Sequence, residues 1–293
     1  MLFGILPIVL TPFTDSGDLD MDSFRNLLKF YHRNGVDGVT CLGEVSETQF
    51  LTDDEQMRIV QCALETSNAK PVVSGIWGKD LSQAMRKAEE MENMGVNGLL
   101  IPPPEGSVDN NEILNFYMDI DRRVSIPIVM LDHPSPSRTA LSPSLISQIY
   151  RKTEHCKFLK IEDPPTNLKM EKLQNEIADG LNVLGASHGR YFYWELECGS
   201  KGLMTSTTVP ETHAMIWKYF ISGRKEEALD LYMKTLPLCY FMEQTPLEVK
   251  KEIFVNKGII RNSFMRSSRK VLTDSSRAQL KELLKWSDVN LIK

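Results

Sequence analysis

The order of elements along this 293-residue chain predicts an α/β protein, a (β/α)8 TIM barrel with a C-terminal helical appendage. Three observations carry that reading. Eight short apolar, β-branched runs alternate with amphipathic stretches as far as about residue 222, the pattern of a parallel sheet linked by helices. No G-x-G-x-x-G follows the first run, so an open dinucleotide-binding sheet lacks its usual signature. Past residue 222 only amphipathic segments continue, which divides the chain into a barrel over 1–222 and a helical region packed on it over 223–293.

The strand-like runs are GILPIVL (4–10), VDGVTCLG (36–43), PVVSGIW (71–77), VNGLLIPP (96–103), IPIVMLD (126–132), KFLKIED (157–163), LNVLGAS (181–187) and KGLMTST (201–207). Between them lie stripes of helical period: Phe24, Leu27, Leu28 and Tyr31; Met57, Val60 and Leu64; Leu81, Ala84, Ala88 and Met91; Met170, Leu173 and Ile177. Thr52 and Glu55 form a capping-box pair, and Gly35, Gly95 and Gly180 stand where helices should end. The echo of NGVDGV (34–39) in MGVNGL (94–99) marks a repeated helix-to-strand junction. Amphipathic segments near 224–242, 246–257 and 275–287 make up the tail.

Composition bounds the function. Hydrophobic residues at 42% and charged residues at 25% describe a globular protein with a large core. A net charge of −5, with RSSRK (266–270) as the only basic cluster, speaks against nucleic-acid binding. Five cysteines show no metal-ligand or disulfide spacing, which fits a reducing, cytoplasmic setting. The apolar N-terminus is broken by Pro7 and Pro12 and lacks a basic flank, so it reads as a first strand and not as a signal peptide, and no run is long enough to span a membrane.

A barrel of this kind places its chemistry at the C-terminal ends of its strands. That rule selects Cys41, Leu42, Gly43 and Glu44; Pro102 to Pro104; Asp132 and His133; Lys160, Glu162 and Asp163; Ser187 and His188; and Thr205 and Ser206. In FLKIEDPP (158–165) strand alternation puts Phe158, Lys160 and Glu162 on one side and Leu159 and Ile161 on the other. On an open sheet Lys160 could be an edge lysine that discourages strand pairing. A closed barrel has no edge, so an inward lysine is desolvated, its pKa falls, and its amine becomes a candidate nucleophile toward a carbonyl.

Here the sequence resembles a family. LPIVLTPF near the N-terminus, LGE (42–44), PSRT (136–139), LK (159–160) and GSKGLMTSTTVPE (199–211) are similar in order and spacing to the dihydrodipicolinate synthase and N-acetylneuraminate lyase family, over nearly the whole chain. The resemblance implies a class I aldolase-type barrel in which Lys160 forms a Schiff base with a 2-oxo acid such as pyruvate, without cofactor or bound metal, in a homo-oligomer, a tetramer of paired dimers. It implies a carboxylate cradle of backbone amides where the family has G-T-T-G-E and this chain reads Thr40, Cys41, Leu42, Gly43 and Glu44. Cys41, Leu42 and Gly43 are accordingly expected to bind substrate, together with Leu203 and with Arg138 toward a distal carboxylate. His133 stands where the family has a proton-passing tyrosine, and IPPPEG (101–106) lacks the tyrosine expected after the fourth strand. His133 is therefore the expected acid/base. These departures point away from dihydrodipicolinate synthesis and toward the branch that includes dehydratases of 2-keto-3-deoxy sugar acids.

Two other readings stay open at this point. Glu44, Asp132, Glu162 and Asp163 could bind Mg²⁺ and stabilise an enolate, or the barrel could bind small acids without turnover.

Overall fold

Hydrogen bonding closes the eight runs into a ring of parallel strands in the computed structural model, which describes residues 1–134, 139–177, 180–267 and 273–286. The barrel alternates β1 (Gly4–Ile5), α1 (Met21–Arg33), β2 (Val39–Cys41), α2 (Asp53–Thr66), β3 (Val72–Gly75), α3 (Leu81–Met94), β4 (Gly98–Ile101) and α4 (Asn110–Asp121). It continues through β5 (Ile128–Asp132), α5 (Pro143–Lys152), β6 (Phe158–Ile161), α6 (Thr166–Ile177), β7 (Asn182–Leu184), α7 (Phe192–Glu197), β8 (Gly202–Leu203) and α8 (Pro210–Ile221). Strands β2 to β7 form one ladder, β1 pairs with β8, and the bridges Ile8–Thr40 and Gly185–Leu203 join the two.

The first strand is shorter than the 4–10 run because Pro7 has no N–H to give. The chain stays extended all the same. The Leu6 and Ile8 amides donate to Leu203 and Thr205 carbonyls at 2.9 and 3.0 Å, and the Thr40 amide donates to the Pro7 carbonyl at 2.7 Å. Where β1 meets β8 the backbones approach so closely that a Cβ on Gly202 (φ +143°) would lie 2.0 Å from the Gly4 carbonyl oxygen. Only glycine permits this seam.

Alternation sets two cores. Ile8, Val73, Leu131, Phe158, Leu184 and Met204 fill the barrel, while Leu159 and Ile161 join the layer between sheet and helices. Lys160 is paired in register with Leu131 and Leu184, so its side chain enters the ring between apolar neighbours. The helix signals act as read: Thr52 accepts the Glu55 amide at 3.2 Å while Glu55 accepts the Thr52 amide at 2.9 Å, and Gly95 ends α3 at φ +94°. The residues just before Gly180, 178–179, lie outside the described residues.

The tail forms α9 (Lys225–Gln244), α10 (Leu247–Asn256) and α11 (Asp274–Trp286). Ala228, Tyr232, Phe254 and Ile260 belong to the same apolar cluster as the barrel helices, so the appendage shares the barrel's core. Its extended stretch is clasped by charge: Arg261 to Asp20 and Asp22 at 3.1 and 2.9 Å, and Arg266 to both oxygens of Glu55 at 2.7 and 2.6 Å. Among the described residues no helix is long and apolar enough to cross a membrane.

Candidate active site

Lys160 ends up on the inner face of β6 at 4% exposure, at the C-terminal mouth of the ring. Burial pulls its ammonium down to about 7, with the Glu44 carboxylate pulling the other way. Its amine contacts the carboxylate of Glu162, two residues on and on the same strand side. The cavity above it, about 620 Å³, is lined among others by Glu44, Trp77, His133, Glu162, His188 and Ser206.

His133 follows β5 and directs Nδ1 at two carboxylates, 3.6 Å from Glu44 Oε2 and 3.7 Å from Glu162 Oε1. Burial, and then the charge of Lys160, pull the imidazole down to about 3, so it is neutral at ordinary pH. A neutral ring with Nδ1 toward carboxylates is held in the tautomer that donates from Nδ1. Burial pushes the Glu44 carboxyl up, opposed by Lys160 and Lys250. The result is a run of exchangeable groups, Glu44, His133, Glu162 and Lys160, each within 4 Å of the next.

The β2 turn differs from expectation. Cys41 is fully buried in the layer between sheet and helices, where burial pushes its thiol well up. Leu42 turns through the left-handed region (φ +55°), packs in that layer and gives its carbonyl to Trp77 Nε1 at 2.6 Å. The Gly43 amide donates to Ser46 Oγ at 3.1 Å. None of the three is among the residues lining the cavity; the 3-10 turn Glu44–Ser46 that follows brings Glu44 and Val45 there, with Glu47. The glycine and glutamate of G-T-T-G-E therefore fall on Gly43 and Glu47, three positions later than the sequence register placed them. The cause is the left-handed residue at 42, which redirects the chain after the strand.

Leu203 also departs from its expected place. It lies on the outer face of β8, at 1% exposure in the helix-facing core, and Met204 takes the inner face. Arg138 lies outside the described residues. Pro102, Pro103 and Pro104 line a second cavity of about 630 Å³ against α3 and α4, with Trp77 bordering both.

The carboxylates considered for a cation are already engaged with lysines. Asp132, wholly buried, and Asp163 share Lys169 at 2.7 and 2.8 Å, while Glu162 holds Lys160. Among the described residues no group of three or more His, Cys, Asp or Glu side chains is placed to hold a metal ion.

His188 and Ser187 do reach the site. Both adopt left-handed backbone (φ +56° and +46°), a strained arrangement that turns them into the cavity. His188 Nε2 lies 3.1 Å from Ser206 Oγ, and its amide donates to Thr205 Oγ1 at 2.9 Å. Glu243, Gln244 and Leu247, from the appendage, form a further wall that the sequence reading did not anticipate. Their local signal is that of an ordinary polar helix end.

A closed barrel with one enclosed strand-six lysine beside titratable partners is the architecture of an aldolase-type enzyme. The family model for the dihydrodipicolinate synthetase family matches residues 1–287, and the chain belongs to that family. It is 28% identical to a 4-hydroxy-tetrahydrodipicolinate synthase of Syntrophobacter fumaroxidans, over 85% of this chain and 87% of that one. It is 27% identical to an L-2-keto-3-deoxyarabonate dehydratase of Azospirillum brasilense, over 94% of this chain and 92% of that one. The crystal structure of a dihydrodipicolinate synthase from Rhodopseudomonas palustris superposes with a TM-score of 0.91 at 26% identity, covering 97% of both chains. The chain is an enzyme, a lyase of the aldolase/dehydratase kind.

Proposed function

We propose that this enzyme forms a Schiff base between Lys160 and the C2 carbonyl of a 2-oxo acid, and that its substrate is a 2-keto-3-deoxy sugar acid which it dehydrates. The observation that carries the reading is the amine itself, 4% exposed and pulled to about 7, which leaves a sizeable neutral fraction at physiological pH. The neutral amine adds to C2, and loss of water gives the iminium. Glu162, in contact with the amine and on the same side of β6, then takes a proton from C3 to give the enamine.

Expulsion of the C4 hydroxyl, protonated from Glu44 through His133, releases water and leaves a conjugated iminium that hydrolyses to the unsaturated 2-oxo acid. Two features favour this over condensation with an aldehyde. Leaving a hydroxyl needs an acid, and burial pushes the Glu44 carboxyl toward its protonated form. The hydroxyl side chains of the family's relay are replaced here by carboxylates and an imidazole, and the similarity to the Azospirillum dehydratase extends over 94% of the chain. The same proposal includes a tetrameric assembly.

The test is reduction with sodium borohydride in the presence of pyruvate. One reduced pyruvoyl group is expected on Lys160, located by peptide mass spectrometry and absent from Lys160→Ala; unlabelled protein under conditions that label another class I aldolase would overturn the proposal.

A further inference from the structure

The appendage wall of the cavity carries a cation that the mechanism does not use. Lys250 lies one turn beyond Leu247 on α10, so both project from one face of the helix, and Leu247 lines the cavity. Lys250 is 4% exposed. The charged or titratable groups that face it are Glu44 and His188, both in the cavity lining.

The neighbouring cations are saturated. Lys251 holds Glu47 at 2.7 Å and the Phe264 carbonyl at 2.8 Å, with the Phe13 ring 4.5 Å away. Arg190 is paired with Glu243 at 2.8 Å. Lys250, by contrast, makes no ion pair and no hydrogen bond among the described residues. An ammonium withdrawn from water with no acceptor for its three protons is costly, and the cost is relieved when an anion enters beside it. The cavity also has room to spare, since about 620 Å³ far exceeds what a three-carbon acid fills.

We propose that Lys250 determines specificity by binding an anionic group, carboxylate or phosphate, at the end of the substrate remote from the keto carbon held by Lys160. This rests on the Schiff-base reading and adds a substrate class to it. Glu44 feels both lysines and so lies between the two anchoring points. Because burial favours its protonated form, it does not permanently neutralise Lys250. Burial lowers the Lys250 ammonium only to about 8, so the charge persists at neutral pH. His188, held well below its usual range, adds no competing charge.

Borohydride trapping on the full chain, followed by mass spectrometry, tests the inference with three probes: 2-oxobutyrate with a neutral tail, 2-oxoglutarate with a carboxylate tail, and 2-keto-3-deoxy-6-phosphogluconate with a phosphate tail. Half-maximal labelling is expected at about tenfold lower concentration or better for an anionic tail than for 2-oxobutyrate, the gain typical of one hydrogen bond to a charged group. The better anionic probe identifies the tail chemistry. In Lys250→Gln that ratio should fall toward one, and in Lys250→Arg it should be largely kept, with thermal melting followed for both variants. Equal labelling of all three probes by the natural protein, or a Lys250→Gln effect that is the same on all three, overturns the inference and leaves Lys250 as a structural counter-charge to Glu44. No label from any probe overturns the Schiff-base reading and this inference together.

Discussion

Glu162 reaches the amine of Lys160 because two residues along a strand return to the same face. Lys160 and His133 were legible for the same reason, as polar side chains at the inner ends of apolar strands. Cys41, Leu42 and Gly43 were not, since one left-handed residue at 42 reorients everything after it and nothing in a leucine announces that conformation. Two outcomes belong at this scale. Glu162→Gln should lower kcat by about 10²- to 10⁴-fold, the usual range for a lost acid/base, while Lys160 still takes up label with pyruvate and borohydride. The rate of that labelling in the natural protein should rise with pH and reach half its plateau near 7, where the amine becomes neutral, and not near 10.5, the value for an ordinary lysine. A midpoint near 10 would show the amine to be hydrated and the barrel mouth open.

Among the elements, α10 does two things at once. One face packs Val249, Ile253 and neighbouring apolar side chains against α9 and α11, and its lysines reach into the barrel mouth. Lys251 and Glu47 are 0% and 1% exposed, so each compensates a charge the other could not carry alone. Lys251→Met leaves the Glu47 carboxylate buried with only the Ser267 amide at 2.8 Å to meet it. A loss of about 3–5 kcal/mol is expected, read from the urea midpoint, because breaking one side of a buried pair strands the other charge. A loss below 1 kcal/mol would mean that water reaches Glu47. The helix itself was readable from its period, but its contact with residue 47 spans about two hundred positions and has no local signature.

For the whole molecule, Glu195 is the group that links pH to stability. It is wholly buried on α7 against β7, where a Cβ on Gly185 would lie 2.0 Å from its Oε2. Burial pushes its carboxyl up to about 8, slightly offset by Thr166. Unfolded, the same group titrates near 4.3. The folded state therefore holds the proton more tightly: its contribution is fully present below about pH 4.3, declines as pH rises, and is gone above about 8. Glu195→Gln should flatten this slope, worth on the order of a few kcal/mol, in melting curves taken between pH 5 and 9. An unchanged slope would mean that other groups govern it. By itself the sequence determined the order of eight βα units, the helical tail and the inward direction of Lys160, because strand and helix periods are local properties of the backbone. Only the tertiary structure decided that Glu44, His133 and Glu162 meet around that lysine and that α10 forms a wall of the cavity. Those groups come from β2, β5, β6 and the tail, and their distances are fixed by how the ring closes and where the appendage docks, which no local pattern encodes.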